Sequence, residues 1–224
     1  MKKLKKGFTL IELLVAISII GILMGIVGPK VFDLLTSSTK TKYSSIFSAW
    51  VTQLTQYKSH YGHFPPFLYE EEEGVAIKID DEDLHDAFLA SLKGKVRDET
   101  GSWVSLGEDL IKQNRENREF HSFGDNEFLG DGKVIGYDDL YVLIDQDGDG
   151  AIELSDELVE DILESLEQDF SSSQIDEIDK EVFGVVNHSV IIFLLQNTLD
   201  DDDDEKYKED VSNVFSWNID KYFD

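Results

Sequence analysis

Asp145-Gln146-Asp147-Gly148-Asp149-Gly150-Ala151-Ile152-Glu153-Leu154-Ser155-Asp156 sets acidic side chains at alternate positions of one short segment. Read as a twelve-residue loop, it has carboxylates at positions 1, 3, 5 and 9 and glycine at position 6, where the backbone must turn sharply. Ile152 takes the apolar position 8, and Ala151 offers its carbonyl at position 7. Position 12 is Asp156 where calcium loops usually carry glutamate, and Glu157 is adjacent. Hard oxygen donors at this spacing suit Ca2+. The expected ligand set is Asp145, Asp147, Asp149, the Ala151 carbonyl, Glu153 (directly or through water) and Asp156 or Glu157. The competing reading is an acidic Asp-Gly turn without metal. A strand-like segment, Asp139 to Asp145, precedes the loop, so this is a strand–loop–helix arrangement and not a paired EF-hand.

Other catalytic chemistry is not visible. The five histidines make no zinc pattern, because His60 and His63 form the one close pair and no third ligand follows at usable spacing. No nucleophile motif, phosphate-binding glycine loop or paired catalytic acid stands out, and the chain is not expected to be an enzyme. The absence of cysteine excludes disulfides and thiolate metal sites. Asp200 to Glu205 is a second acidic run, and such runs are usually solvated loops.

The loop must be held by a scaffold of unusual charge. Residues 29–224 carry 46 acids against 16 Lys and Arg, a net of −30, whereas Lys2, Lys3, Lys5 and Lys6 precede Gly7. An acidic body of this kind repels phosphate backbones, so nucleic acid is not an expected partner. Phe8 to Gly28 is a 21-residue apolar run with one charge, Glu12. As a helix it spans roughly 30 Å, which matches a bilayer core. It is longer than the apolar core of a cleaved secretory signal. The preceding lysines orient the N-terminus to the cytoplasm and the acidic body to the far side. Glu12 asks for a partner, since an ionisable group in a membrane helix costs about 2.5–3.5 kcal/mol. The alternative is a carboxylate that snorkels from one turn inside the span. Gly21 and Gly25 form G-x-x-x-G, and Gly28-Pro29 follows, which suits close helix packing or a stretch that unwinds on assembly.

The string Lys5-Lys6-Gly7-Phe8-Thr9-Leu10-Ile11-Glu12-Leu13-Leu14-Val15 resembles the class III signal of type IV pilins and type II secretion pseudopilins. The resemblance implies cleavage by prepilin peptidase between Gly7 and Phe8, and methylation of the Phe8 amine. It also implies an assembly role for Glu12, paired with the Phe8 amine of a neighbouring subunit. Gly21, Gly25 and Pro29 then belong to the assembling helix. The implied partners are the chain itself and other pseudopilins in a helical filament, prepilin peptidase and an inner-membrane secretion assembly platform. The implied location is the inner membrane, single-pass, with a periplasmic head. Major pseudopilins hold calcium near the C-terminus, so Asp201, Asp202, Asp203 and Asp204 become a possible second metal site.

The expected organisation is a leader at 1–7, the transmembrane part of a helix at 8–28, its exported part at 29–62 and an acidic head at 63–224. Ile46, Phe47, Trp50, Val51, Leu54, Tyr57 and Tyr61 recur at helical spacing, and Gly62 with Pro65-Pro66 ends the helix. Leu84 to Leu92 reads as a short helix between Asp83 and Gly94, Leu106 to Asn114 as another, and Leu154 to Phe170 as a third. Val182 to Leu195 reads as one long strand or two broken at Asn187-His188-Ser189, and Val214 to Trp217 as a last short strand. Helix first and strands late predict an α+β, pilin-like fold, with the long N-terminal helix packed on a small C-terminal antiparallel sheet. Tyr61-Gly62-His63-Phe64-Pro65 resembles the turn after the long helix of major pseudopilins. Asn117-Arg118-Glu119-Phe120 and later segments follow in the same order. The usual tryptophan–glycine before the central strand is missing around Asp138-Asp139, and the helix at 154–170 is inserted.

The leading expectation is a subunit of a type II secretion pseudopilus. The alternatives are a type IV pilin or minor pilin for adhesion, motility or DNA uptake, and a membrane-anchored calcium-dependent binding module.

Overall fold

The computed structural model describes residues 10–167, 169–195 and 213–223, with the backbone alone at helix positions 12, 21, 22 and 24–36. In chain order the elements are α1 (Leu10–Tyr61), β1 (Ile77–Lys78), α2 (Glu82–Lys93), β2 (Lys95–Arg97), β3 (Trp103–Ser105) and β4 (Leu140–Ile144). Then come β5 (Ile152–Glu153), α3 (Asp156–Leu166), α4 (Ser172–Asp176), α5 (Lys180–Phe183), β6 (Val185–Val186), β7 (Val190–Leu194) and β8 (Val214–Phe215). The fold is α+β with small antiparallel sheets and a long N-terminal helix.

Two compact units meet in sequence at Thr39 and Lys40. The first holds the early turns of α1, where Leu10, Ile11, Leu13, Leu14, Val15, Ile17, Ile19, Ile20 and Leu23 are all exposed. The helical assignment continues through Gly28 and Pro29. Among the described residues no helical stretch is long and apolar enough to cross a membrane, and the apolar run 8–28 lies partly outside them.

The second unit is built on a four-stranded sheet in the order β1-β4-β7-β8, every neighbouring pair antiparallel. Its two central strands are buried on both faces. Leu140, Val142 and Ile144 of β4, with Val190, Ile192 and Leu194 of β7, join a core with Tyr43, Ile46, Phe47, Trp50 and Leu54 of α1 and Phe88 of α2. Leu143, Ile191 and Phe193 face the other way, onto Leu158, Val159, Ile162, Leu163 and Leu166 of α3. A strand covered on both sides reads as a continuous apolar run, which is why Val190–Leu194 shows no polar alternation.

Several boundaries differ from the sequence reading. α2 is capped by Asp81, whose carboxylate accepts from Leu84 N–H, and not by Asp83. Its end is as expected: Gly94 closes it at φ +68, where a Cβ would meet the Asn117 backbone at 2.4 Å. The helix expected over Leu106 to Asn114 is reduced to a single 3-10 turn at Ile111–Gln113. Buried Gln113 and Asn114 instead serve as connectors there: Gln113 O accepts from Tyr57 O–H, and Asn114 Nδ2 donates to Ala90 O and Arg118 O. The helix expected from Leu154 starts later, because Leu154 N–H donates to Gly184 O and Ser155 caps α3. It ends at Leu166. Val182 lies in the short helix α5 rather than in a strand, while the break at 187–189 between β6 and β7 is as expected.

Candidate functional site

The segment between β4 and β5 brings three carboxylates together. One oxygen from each of Asp145, Asp147 and Asp149 lies within 4.8 Å of the others. The backbone makes this possible through left-handed turns at Gly148 (φ +80) and Gly150 (φ +99), which residues with a Cβ rarely adopt. Asp145 is buried and also organises the turn, since Oδ1 accepts from Gly148 N–H at 2.7 Å and Oδ2 from Gly150 N–H at 3.2 Å. Asp147 accepts from Asp149 N–H and Asp149 from Ala151 N–H, while both side chains remain exposed. Ile152 anchors the far end, buried and paired with Val186 across β5 and β6.

The remaining expected ligands are placed differently. Glu153 is exposed on β5 and lies outside the cluster of three. Asp156 and Glu157 form the exposed first turn of α3, also outside it. Three convergent carboxylates suit a hard divalent cation, whose other positions fall to backbone carbonyls, of which Ala151 is the expected one, and water.

Two neighbours of this loop are not legible from its own sequence. Lys58 of α1 sets its ammonium 3.9 Å from Asp145 Oδ2. The acidic run Glu70–Glu73 is exposed, and its backbone is held at two points to the segment 146–155. Gln146 Nε2 donates to Glu71 O, and Ser155 N–H donates to Gly74 O. Gly74 has φ +80, and a Cβ there would stand 2.3 Å from Glu153 O, so this approach requires glycine. Partial desolvation, then the charges of Asp147, Asp149, Glu153 and Asp145, push the Glu73 carboxyl above its usual range.

Gly7, Phe8 and Asp201 to Asp204 lie outside the described residues. Glu12, Gly21, Gly25 and Pro29 fall within the backbone of α1. No curated protein and no solved structure matches the chain. Residues 2–28 match the family model for the prokaryotic N-terminal methylation motif, the signal of type IV pilins and pseudopilins, and in that segment the chain is pilin-like.

Proposed function

We propose that the chain is a structural, non-catalytic subunit of a type II secretion pseudopilus. In this reading prepilin peptidase processes it after Gly7, the run Phe8–Gly28 anchors it in the inner membrane, and the helix then polymerises into a filament with the head in the periplasm. The observation that carries the reading is the methylation motif at 2–28 leading directly into one long helix that enters an α+β head. The exposed apolar residues from Leu10 to Leu23 support it, because so large an apolar surface needs lipid or neighbouring helices to cover it. A Ca2+ ion held by Asp145, Asp147 and Asp149 belongs to the same proposal, as a staple for the head outside the cytoplasm.

Mass spectrometry of the membrane-extracted protein tests the processing step. The mature chain is expected to begin with N-methyl-Phe8. Recovery of intact Met1–Gly7 from assembled protein, or a cut beyond residue 25, overturns the assignment.

Glu12→Ala is expected to leave cleavage and insertion intact while lowering filament yield. The substitution removes a charge from the apolar span, so the monomer loses a desolvation penalty. What is lost is pairing with the Phe8 amine of a neighbour. Unchanged yield in sheared or cross-linked samples would mean that Glu12 is merely an interfacial carboxylate.

A further inference from the structure

The acidic head has one locally different stretch. Residues 70–224 contain 45 acids and 12 Lys and Arg, and six of those 12 lie within residues 93–118, opposed there by five acids. These are Lys93, which is paired with Glu119 at 2.7 Å, and Lys95, Arg97, Lys112, Arg115 and Arg118. Most of the head repels a like-charged neighbour, so an acidic surface approaches this stretch, like the acid-free helix segment before residue 70, at lower electrostatic cost.

Arg97 is the ordered centre of the stretch. The antiparallel pairing of β2 and β3 sets it directly opposite Trp103, on the same face as Lys95. Its guanidinium stacks over the Phe128 ring at 4.3 Å and approaches the Trp103 ring at 5.8 Å. Arg97 Nε donates to Gly101 O at 3.0 Å. Gly101, at positive φ, lies beside the fork: a Cβ there would stand 3.0 Å from Nη2. Among the described residues no carboxylate ion-pairs with this guanidinium, although the chain has 47 acids. An arginine fixed at Nε and against an aromatic face has already lost much of its rotamer freedom, and its terminal N–H fork is suited to a carboxylate.

We propose that Arg97 and Lys95 form a docking site for the acidic run Glu70–Glu73 of a second copy of this chain. That run supplies four consecutive exposed carboxylates, none of them in an ion pair among the described residues. Its backbone is held by the Gln146 and Ser155 hydrogen bonds, so the charges are presented as an ordered edge. The two surfaces are different parts of the chain. Contact between them can run head-to-tail and propagate, as a filament requires. The proposal rests on the filament reading and adds a head contact to it.

The test uses the full-length chain in producing membranes, with half the pool isotopically heavy, and a zero-length carbodiimide that joins lysine amines to carboxylates. Mixed-label peptides joining Lys95 to Glu70–Glu73 are expected. Their yield is expected to fall at least tenfold in Arg97→Glu. The Lys95–Glu73 link, whose carboxylate stays reactive, is expected to fall likewise in a variant with Glu70, Glu71 and Glu72 changed to Gln, which leaves the Arg97 cradle untouched. Mixed-label links at other lysines with none between Lys95 and this run, or links that persist in both variants, overturn the head contact alone. Absence of every mixed-label link overturns the filament reading as well.

Discussion

Calcium is expected to raise the melting temperature of the full-length chain, and chelator to reverse the rise. A ligand that binds only the folded state stabilises it by about 2.7 kcal/mol at a hundredfold excess over its dissociation constant. For a chain of this size that corresponds to roughly 5–10 °C. The gain arises because Asp145, Asp147 and Asp149 converge within 4.8 Å, so their repulsion loosens the segment until a cation offsets it. An affinity of about 10⁻⁴–10⁻³ M suffices outside the cytoplasm. Asp147→Ala and Asp149→Ala are expected to abolish the shift. Alanine is the informative change, because an asparagine amide oxygen still serves as a ligand at these loop positions. Asp145 is less informative, since its carboxylate also holds Gly148 and Gly150. A full calcium shift in both variants, removed only by changes at Asp201–Asp204, would move the metal to the later acidic run. No shift in any variant would reduce both segments to solvated acidic turns.

Glu127→Ala is expected to destabilise the head by about 3 kcal/mol, the cost of breaking a buried charged network on one side. Glu127 is buried where the loop 121–128 meets α1. Its Oε2 accepts from Trp50 Nε1 at 2.6 Å and from His121 Nε2 at 2.7 Å, and Oε1 accepts from Gly124 N–H at 2.8 Å. Removing the carboxylate leaves Trp50 Nε1, in the middle of the main core, without an acceptor. Burial alone would push the Glu127 carboxyl up. The hydrogen bonds from His121, Gly124 and Trp50, with the His121 charge, outweigh burial and hold it below the usual range. The sign for stability follows from that depressed value. The contribution is fully present above the unfolded carboxylate value of about 4.3, and is lost as pH falls through the lower folded value. Wild-type stability should therefore fall more steeply on acidification than that of the variant. Unfolding free energies within about 0.5 kcal/mol of each other at neutral pH would show that the network is not structural.

The parts of this chain legible in its sequence are those whose chemistry is local. The leader is a linear string, and its matched segment at 2–28 coincides with the charges, cut site and apolar run read from the residues. The three-aspartate cluster is similarly local, because alternating residues about a Gly-x-Gly turn are brought together by backbone geometry alone. The Gly94 cap and the broken strand at 187–189 belong to the same class. Misreadings cluster where a local signal lost to a distant partner. Leu106 to Asn114 has helical composition, but Gln113 and Asn114 are taken up by Tyr57, Ala90 and Arg118. Ile77 and Lys78 carry too little pattern for a strand and become one only by pairing with Val142 and Tyr141.

The processing signal, the long helix, the late strands and the aspartates of the loop can be read from residue order. Each follows from spacing within about a dozen residues, or from a continuous apolar run. The folded arrangement settles which other groups meet them: Lys58 beside Asp145, the Glu71 backbone on Gln146, Glu127 beside Trp50, and Arg97 against Phe128 and Trp103. The physical reason is that these contacts join residues far apart in the chain. They form when two-sided burial of β4 and β7 fixes the sheet between α1 and α3, and that apolar driving force carries no local record of which polar side chains it will bring together.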